Sequence, residues 1–263
     1  MSLIKACFLY LFLLLAVATG AQEFPYTLDA RQELALLATG GGLSITSHIL
    51  ENQLSGLSSE EIVGQKRRKV WLLDRSATYQ ESEAYRNLSD DVLRASLLLP
   101  GTLLVGRTPR RRGFVLATLL AETMILTDGF TKASKIMARR TRPLTYNTEV
   151  SEAEKMSNDA RQSFVSGHTS NTAALSFFTA KIFHDLYPDS PWRTAVWAGA
   201  AAVPLVTGYA RYRAGKHFPT DILAGYALGA ALGILIPEGH KDPNQAGWRT
   251  AVTENGVGFC YRW

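Results

Sequence analysis

Ile222-Leu-Ala-Gly-Tyr-Ala-Leu-Gly-Ala-Ala-Leu-Gly-Ile-Leu-Ile236 is a continuously apolar stretch that is rich in alanine and glycine. Small side chains let the backbones of two helices approach closely, both in a soluble bundle and in a membrane. A helix of this length reaches about 22 Å, which is short of a hydrocarbon core of about 30 Å. The stretch therefore predicts either a buried helix of a bundle or a short membrane span.

Four other apolar stretches precede this one, and charged residues such as Glu122 and Lys181 interrupt some of them. The four stretches are residues 93–106, 114–127, 173–183 and 195–209. An earlier segment, residues 29–50, also has a helical pattern, with an expected break at Gly40-Gly41-Gly42. We predict an all-α helical bundle without internal repeats.

Composition narrows the class of protein. The 263 residues are 46% hydrophobic and 19% charged, which excludes a disordered chain. Two cysteines, Cys7 and Cys260, exclude a disulfide scaffold. The formal net charge of +5 favours an acidic partner such as a phosphate, an anionic lipid or a nucleic acid, without choosing among them.

The N-terminus has the pattern of a secretory signal. Lys5 precedes an apolar run over residues 7–18, and Thr19-Gly20-Ala21 offers small residues for cleavage. We predict a signal peptide over residues 1–21; the alternative is an uncleaved anchor helix. An exported chain makes nucleic acid an improbable partner, so the basic cluster 66–69 is expected to face solvent or lipid headgroups.

The remaining chain divides into three predicted parts. Residues 22–92 form an N-terminal helical and polar segment, and residues 93–240 form a helical core. Residues 241–263 form a tail in which Asn255-Gly256 between two apolar runs predicts a small β-hairpin.

The first cluster with possible chemistry is Lys135-Ile-Met-Ala-Arg-Arg-Thr-Arg142-Pro143. Lys135 and Arg142 are seven positions apart, close to two helical turns, so both cations could point from one helix face. Pro143 is expected to stop the helix. Two fixed cations suit the several oxygens of a phosphate, although a solvated basic helix end would have the same sequence.

The second cluster is Ser166-Gly167-His168-Thr169-Ser170, before an expected helix. Gly167 allows a tight turn, and the free amides of a helix start bind anions. His168 could exchange a proton with an ester oxygen. The alternative is a Ser/Thr helix cap with an incidental histidine.

The third cluster runs from Arg211 through His217 to Asp221, ahead of the apolar stretch 222–236. Pro219 suits the first turn of a helix, and Asp221 a position just inside it. A carboxylate that binds one imidazole nitrogen fixes the tautomer and leaves the other nitrogen as a nucleophile. The alternative is a helix-dipole aspartate beside a loop histidine.

Together the clusters follow the pattern K-x6-R-P, S-G-H, R-x5-H-x3-D. This pattern resembles the type 2 phosphatidic acid phosphatase and vanadium haloperoxidase superfamily, over about a third of the chain. The resemblance implies an all-α bundle and a phosphatase that acts on a phosphate monoester or pyrophosphate, with a lipid substrate favoured. It also implies no cofactor and no catalytic metal, and no metal-binding pattern was found in the sequence.

The resemblance assigns roles residue by residue. Lys135, Arg142 and Arg211, with Ser166 and the Gly167 amide, would bind the phosphoryl oxygens. His217 would attack phosphorus to form a phosphohistidine, and Asp221 would orient it. His168 would protonate the leaving alkoxide and then accept a proton from water.

Two positions depart from the family pattern: Val165 stands where proline is usual, and Ala210 where serine is usual. The alternatives are a soluble periplasmic acid phosphatase, a vanadium-dependent haloperoxidase and an inactive envelope homologue. If the stretches at 93–106 and 114–127 cross a membrane, the basic loop 107–112 prefers the cytoplasm. The site would then face outward, in the periplasm or cell envelope of a bacterium.

Other basic residues have weaker signals. His48, His184 and His240 lack nearby partners in sequence, so we expect structural or surface roles. Arg139 and Arg140 lie beside the first cluster and are expected only to raise the local positive potential.

Overall fold

The computed structural model of the chain describes residues 24–242, 247–253 and 256–262, so the predicted signal peptide lies outside the described residues. Within them the prediction of an all-α bundle is confirmed. The six long helices are α1 (Ala30–Glu51), α4 (Glu83–Ser96), α7 (Gly113–Ala138), α9 (Gly167–Leu186), α10 (Arg193–Arg213) and α11 (Pro219–Gly239).

Short elements connect the long helices. The short helices are α2 (Ser59–Val63), α3 (Leu72–Arg75), α5 (Leu99–Thr102), α6 (Arg107–Arg111) and α8 (Glu152–Lys155). The 3-10 turns are Arg67–Lys69, Ser76–Tyr79, Leu103–Val105, Pro143–Tyr146 and Asn158–Arg161. In the tail, strand β1 (Gly247–Thr253) pairs antiparallel with β2 (Gly256–Arg262), and Thr253 stands opposite Gly256.

Helix α9 lies at the centre of the bundle and packs most extensively against α11. Gly225, Gly229 and Gly233 of α11 face the backbone of α9. A Cβ atom at these positions would lie only 2.5 Å from the Ser166 carbonyl oxygen, 2.0 Å from that of Ser170 and 2.7 Å from that of Ala174. The close helix packing expected from the Ala/Gly-rich stretch is therefore confirmed, and it depends on the missing side chains.

Helix α1 runs without interruption through Gly40-Gly41-Gly42, so the expected break is wrong. The cause is packing against α7. A Cβ atom at Gly40 would lie 2.8 Å from Ile125 Cγ2, and one at Gly129 would lie 2.7 Å from the Gly40 carbonyl oxygen. These glycines permit close contact between α1 and α7, and this tertiary contact outweighs the low helix propensity of glycine.

The helices are longer than the apolar stretches from which they were predicted. Helix α7 has 26 residues, which span about 39 Å. Two stretches, Gly113–Tyr146 and Pro219–Gly239, are long and apolar enough to cross a membrane by length and composition. Residues 93–106 do not form one helix: α4 ends at Ser96, and the short α5 has Pro100 in its first turn.

Helix α7 ends at Ala138, where Arg139 adopts a left-handed conformation with φ of 42°. Lys135 is in the last turn of this helix, whereas Arg142 lies beyond its end. The prediction that both cations project from one helix face is therefore wrong. The chain reverses after Ala138, and the Arg142 amide donates to the Ala160 carbonyl at 2.8 Å, which positions Arg142 independently of the helix.

Candidate active site

The predicted residues meet at one end of the bundle, where four long helices begin or end. They are Lys135 at the end of α7, Arg142 after it, Ser166, Gly167 and His168 at the start of α9, Arg211 at the end of α10, His217 in the following loop, and Asp221 in the first turn of α11.

His217 is almost completely buried, with 1% of its surface exposed. Its Nδ1 lies 2.6 Å from the Ser163 carbonyl oxygen. A carbonyl only accepts hydrogen bonds, so Nδ1 carries the proton and Nε2 keeps its lone pair. Nε2 lies 3.4 Å from Nη1 of Arg142. Burial lowers the pKa of His217 well below its usual range, and the cations Arg142 and Arg211 add to this effect. The ring is therefore neutral near pH 7.

Asp221 is fully buried at the start of α11. Its carboxylate accepts hydrogen bonds from the Phe218 amide at 2.9 Å and the Ser163 hydroxyl at 2.5 Å, and it pairs with Arg140. Its Oδ2 lies 3.9 Å from Nδ1 of His217, beyond hydrogen-bond distance. Asp221 thus contacts Ser163, whose carbonyl binds His217. That Asp221 orients His217 stays a prediction, and the orientation would act through Ser163.

Arg142 is held rigidly by backbone and side-chain acceptors. Its Nε donates to the Asp159 carbonyl at 2.8 Å, Nη2 pairs with the Asp159 carboxylate at 2.6 Å, and Nη1 donates to the Lys216 carbonyl at 3.1 Å. Burial alone would raise the pKa of Asp159, but Arg142 and Lys216 outweigh it and lower the pKa. Lys216 in turn pairs with Glu154 at 2.7 Å. These contacts hold the Arg142 guanidinium in place, with its Nη1 next to His217.

His168 forms a pair with Asp90 of α4, at 2.7 Å between Nε2 and Oδ1. The carboxylate acceptor assigns the proton to Nε2 and leaves Nδ1 available for proton exchange. Nη1 of Arg211 lies 3.8 Å from the same Asp90 oxygen and donates to the Ser89 hydroxyl at 3.3 Å. Burial and Arg211 lower the pKa of His168 to about 4, although Asp90 acts in the opposite direction.

Lys135 approaches the start of α9, because a Cβ atom at Gly167 would lie 3.7 Å from its Nζ. Within the described part of the chain, this ammonium group makes no ion pair. Ser166 is fully buried; its amide donates to the Asp221 carbonyl at 3.0 Å, and its hydroxyl lies 2.9 Å from that of Thr169. A cation and a helix start therefore face the same point, as an anion site requires.

Sequence reasoning missed the residues that support the predicted ones. Arg140 does more than raise the local positive potential. It pairs with Asp221, and it also pairs with the buried Asp74 at 2.6 Å. Asp74 also accepts from the Thr220 amide at 3.1 Å. Asp90 gave no signal in the sequence, because it reaches His168 from 78 residues away. The only sequence signal for Asp90 is its place in a polar segment next to an apolar stretch.

An apolar cavity of about 550 Å³ opens between α1, α4, α7 and α9. Its lining includes Leu93 on α4, Leu97 directly after α4, and Asn171 on α9. Leu93 follows Asp90 by one helical turn, and Asn171 follows His168 by about one turn, so the cavity adjoins the Asp90–His168 pair.

Comparison with known proteins gives a family match that spans the site. The family model described as "PAP2 superfamily" matches residues 116–244, which include every predicted site residue. These residues belong to the PAP2 superfamily.

A lipid A 4'-phosphatase of Porphyromonas gingivalis is 36% identical to the chain over 73 residues, which cover 28% of each protein. The match thus spans little more than a quarter of that relative. Among solved structures, a transmembrane PAP2-type phosphatidylglycerolphosphate phosphatase from Bacillus subtilis aligns with a TM-score of 0.45 and 18% identity. That alignment covers 76% of this chain and 94% of the other.

Proposed function

We propose that the chain is a membrane-associated phosphatase that hydrolyses a phosphate monoester or pyrophosphate of a lipid through a phosphohistidine on His217. The observation that carries this proposal is the state of His217. Its Nδ1 proton is bound to the Ser163 carbonyl, and its free Nε2 lies beside the Arg142 guanidinium. A neutral imidazole that faces fixed cations is suited to attack on a phosphoryl group.

The phosphate-binding step follows from charge. Arg142 and Arg211 are buried and Lys135 is half-buried, and all three lower the pKa of His217, so their fields converge on the nucleophile. A phosphoryl group placed among them would also meet the amides at the start of α9. Three fixed cations can spread the charge of the equatorial oxygens, which is the main requirement for phosphoryl transfer.

The transfer has two steps. In the first, Nε2 of His217 forms a bond to phosphorus, the ester P–O bond breaks, and the alkoxide takes a proton from Nδ1 of His168. In the second, water attacks phosphorus and gives a proton to Nδ1 of His168; the P–N bond breaks and phosphate leaves. The free protein holds His168 neutral because its pKa is about 4. The bound phosphate anion offsets the neighbouring cations and so favours the protonated ring.

A lipid substrate is supported by the apolar surroundings of the site. The cavity between α1, α4, α7 and α9 adjoins His168 and could hold an acyl chain. Two helical stretches are long and apolar enough to cross a membrane, and many large apolar side chains lie exposed around the bundle. The partial similarity to a lipid A 4'-phosphatase points in the same direction.

An exposed segment next to the site supports membrane contact at the catalytic end. Trp71, Leu72 and Leu73 are at least 60% exposed, and Asp74 directly after them binds the Arg140 that pairs with Asp221. The preceding residues Lys66, Arg68 and Lys69 are exposed cations. A tryptophan with leucines and lysines is typical of a surface that enters the interface of an anionic membrane. We call residues 66–73 the interfacial segment.

If α7 crosses the membrane, the side that the active site faces can be inferred from the charges near the two ends of α7. The basic helix α6 (Arg107–Arg111) directly precedes α7, and Lys135 lies near its other end. Positive charge prefers the cytoplasmic side, so the site would face outward, in agreement with the predicted export signal.

The test is phosphate release by purified full-length protein in detergent, with a chelator present. The substrates are phosphatidic acid, a prenyl diphosphate, lipid A and a chromogenic phosphate ester. We expect turnover of at least one lipid phosphate and inhibition by vanadate. With a substrate labelled on phosphorus, an acid-labile label should appear on the protein. His217→Asn should remove the label and lower turnover by about 10⁴-fold or more, whereas the exposed His48→Asn should leave both unchanged.

Other outcomes identify the alternatives. Turnover of the soluble ester alone by protein that carbonate washes from membranes would indicate a soluble acid phosphatase. Halide oxidation with peroxide and vanadate would indicate a haloperoxidase. Phosphate binding without turnover of any substrate would indicate an inactive homologue and would contradict the proposal.

A further inference from the structure

A second group of ionisable side chains lies far from the active site. Glu33 is in the first turn of α1, Glu122 is in α7, and His240 directly follows α11. Their ligand atoms all lie within 4.8 Å of one another. Glu122 precedes Lys135 by 13 residues on α7, which separates the group from the phosphate site by about 20 Å along the helix.

The tautomer of His240 is fixed by the backbone. Its Nδ1 lies 2.7 Å from the Ile236 carbonyl oxygen, so Nδ1 carries a proton and the lone pair of the neutral ring is on Nε2. Nε2 lies 3.1 Å from Oε2 of Glu33 and 3.2 Å from Oε2 of Glu122. The Gln32 amide nitrogen also lies 3.2 Å from Nε2. A nitrogen lone pair thus faces two carboxylate oxygens.

The two carboxylates lack compensating charge. Glu122 is fully buried, and neither of its oxygens accepts a hydrogen bond from any described residue. The nearby lysines, Lys181 and Lys241, pair instead with Asp185 and Glu238. A proton added to Nε2 of His240 could satisfy a carboxylate oxygen of only one glutamate. Glu33 already accepts from the Asp29 amide at 3.0 Å, so a proton shared with Glu33 would leave the buried Glu122 without a donor. Burial of such a group is costly.

A divalent cation would resolve this arrangement. Zinc binds histidine nitrogen and carboxylate oxygen at about 2.0–2.2 Å, and tetrahedral geometry then separates the ligand atoms by about 3.4 Å. The measured separations of 3.1 and 3.2 Å are close to that value. A histidine that ligates zinc commonly donates its other N–H to a carbonyl, as His240 does to Ile236.

We propose that Glu33, Glu122 and His240 form a structural Zn²⁺ site that binds the start of α1 to α7 and to the end of α11. No sequence motif indicates this site, because the three ligands are widely separated along the chain. The site is independent of the proposed phosphatase activity, since it lies at the opposite end of the bundle and touches none of the phosphate-binding residues.

The test measures metal content and thermal unfolding of the full-length protein in detergent. After treatment with a chelator and removal of the chelator, the wild type should take up about one equivalent of Zn²⁺. Its midpoint of thermal unfolding should rise by about 5 °C or more at Zn²⁺ concentrations near 100 times Kd. Glu122→Gln and His240→Asn should abolish both effects.

Two further variants keep the test decisive. Glu33 is half-buried at the helix start, so Glu33→Gln should fold even if the buried variants do not, and it should lose zinc uptake. Glu238→Gln lies two residues from His240 but outside the group, and it should retain zinc uptake. If the wild type takes up no zinc, or if Glu33→Gln takes up as much as the wild type, the proposal is wrong. The first result would indicate a shared proton, and the second an adventitious ion elsewhere.

Discussion

The two ends of the bundle use ionic side chains in opposite ways. At the end away from the active site, Lys181 and Lys241 each contact both Asp185 and Glu238, so each of these lysines has two carboxylate partners. At the catalytic end, Lys135 makes no ion pair with a described residue, and Arg211 lies 3.8 Å from its nearest carboxylate. The two lysines at the first end are neutralised by carboxylates of the protein itself. The cations Lys135 and Arg211 at the catalytic end lack a closely bound anion. That deficit is what a phosphate substrate would supply.

Among the changes that test this comparison, the largest effect on activity is expected from the removal of Lys135, which makes no ion pair with a described residue. Lys135→Met should lower kcat/KM for phosphate release by about 10²-fold or more, because a fixed positive charge near the phosphoryl oxygens is lost. Steady-state kinetics on the lipid substrate measure this effect. Lys132→Met is the matched control: Lys132 is one turn earlier on α7 and pairs with Asp128 at 2.8 Å. Equal losses in the two variants would contradict the role of Lys135.

A pair of aspartates tests the two ends directly. Asp221→Asn and Asp185→Asn each remove a buried carboxylate with several partners, and each should lower the free energy of unfolding by about 2–3 kcal/mol. Only Asp221→Asn should also lower kcat, by about 10- to 100-fold, because Ser163 then no longer holds His217 in place. Thermal unfolding and turnover are measured on the same samples. A comparable loss of kcat in Asp185→Asn would show that the effect is one of stability alone.

Asp90→Asn should change the pH dependence. His168 must carry a proton to protonate the leaving group, so kcat/KM falls as pH rises through the pKa of His168 in the free protein, which is about 4. Asp90 raises that pKa, so its loss lowers the pKa further and moves the descending limb to lower pH. Activity at pH 7 should fall about tenfold for each unit of displacement.

The control for this pH profile is Asp91→Asn. Asp91 is the next residue, is exposed and pairs with Arg94 on the surface at 3.2 Å. Its profile should coincide with that of the wild type. An unshifted limb in Asp90→Asn would exclude Asp90 as the partner that sets the pKa of His168.

The smallest effect is expected at the interfacial segment. Trp71→Ala should weaken binding to anionic vesicles a few-fold and lower turnover of vesicle-borne substrate by a similar factor, because one interfacial anchor is lost. Turnover of a soluble ester should stay constant. Val63→Ser, at an exposed apolar residue outside the segment, should behave as the wild type does. Equal effects on soluble and vesicle-borne substrates would argue against membrane contact by Trp71.

Local sequence was sufficient to predict part of this molecule. Four of the five apolar stretches predicted long helices, and Pro219 and Asp221 predicted the start of α11, where Asp221 accepts from the Phe218 amide. These features depend on residues within one turn of each other. The start of α9 at Gly167 follows from the same kind of local signal.

The features that the sequence did not predict all depend on contacts between distant residues. Gly40 continues a helix only because α7 packs against it, and Arg142 enters the site because the chain reverses beyond Ala138. Asp90 reaches His168 from another helix. Residue spacing contains no information about these contacts, because they are set by how whole helices pack.

The glycines of α11 recur every four residues, and this regularity has a consequence for assembly. A slip of α11 along α9 by one turn, about 5.4 Å, would bring Gly229 to the place of Gly225 and Gly233 to that of Gly229. The spacing of the glycines alone therefore allows more than one alignment of α11 along α9. The hydrogen bond from the Ser166 amide to the Asp221 carbonyl, at 3.0 Å, fits only one of them. The residues that complete the active site thus also select the alignment of the two helices that carry it.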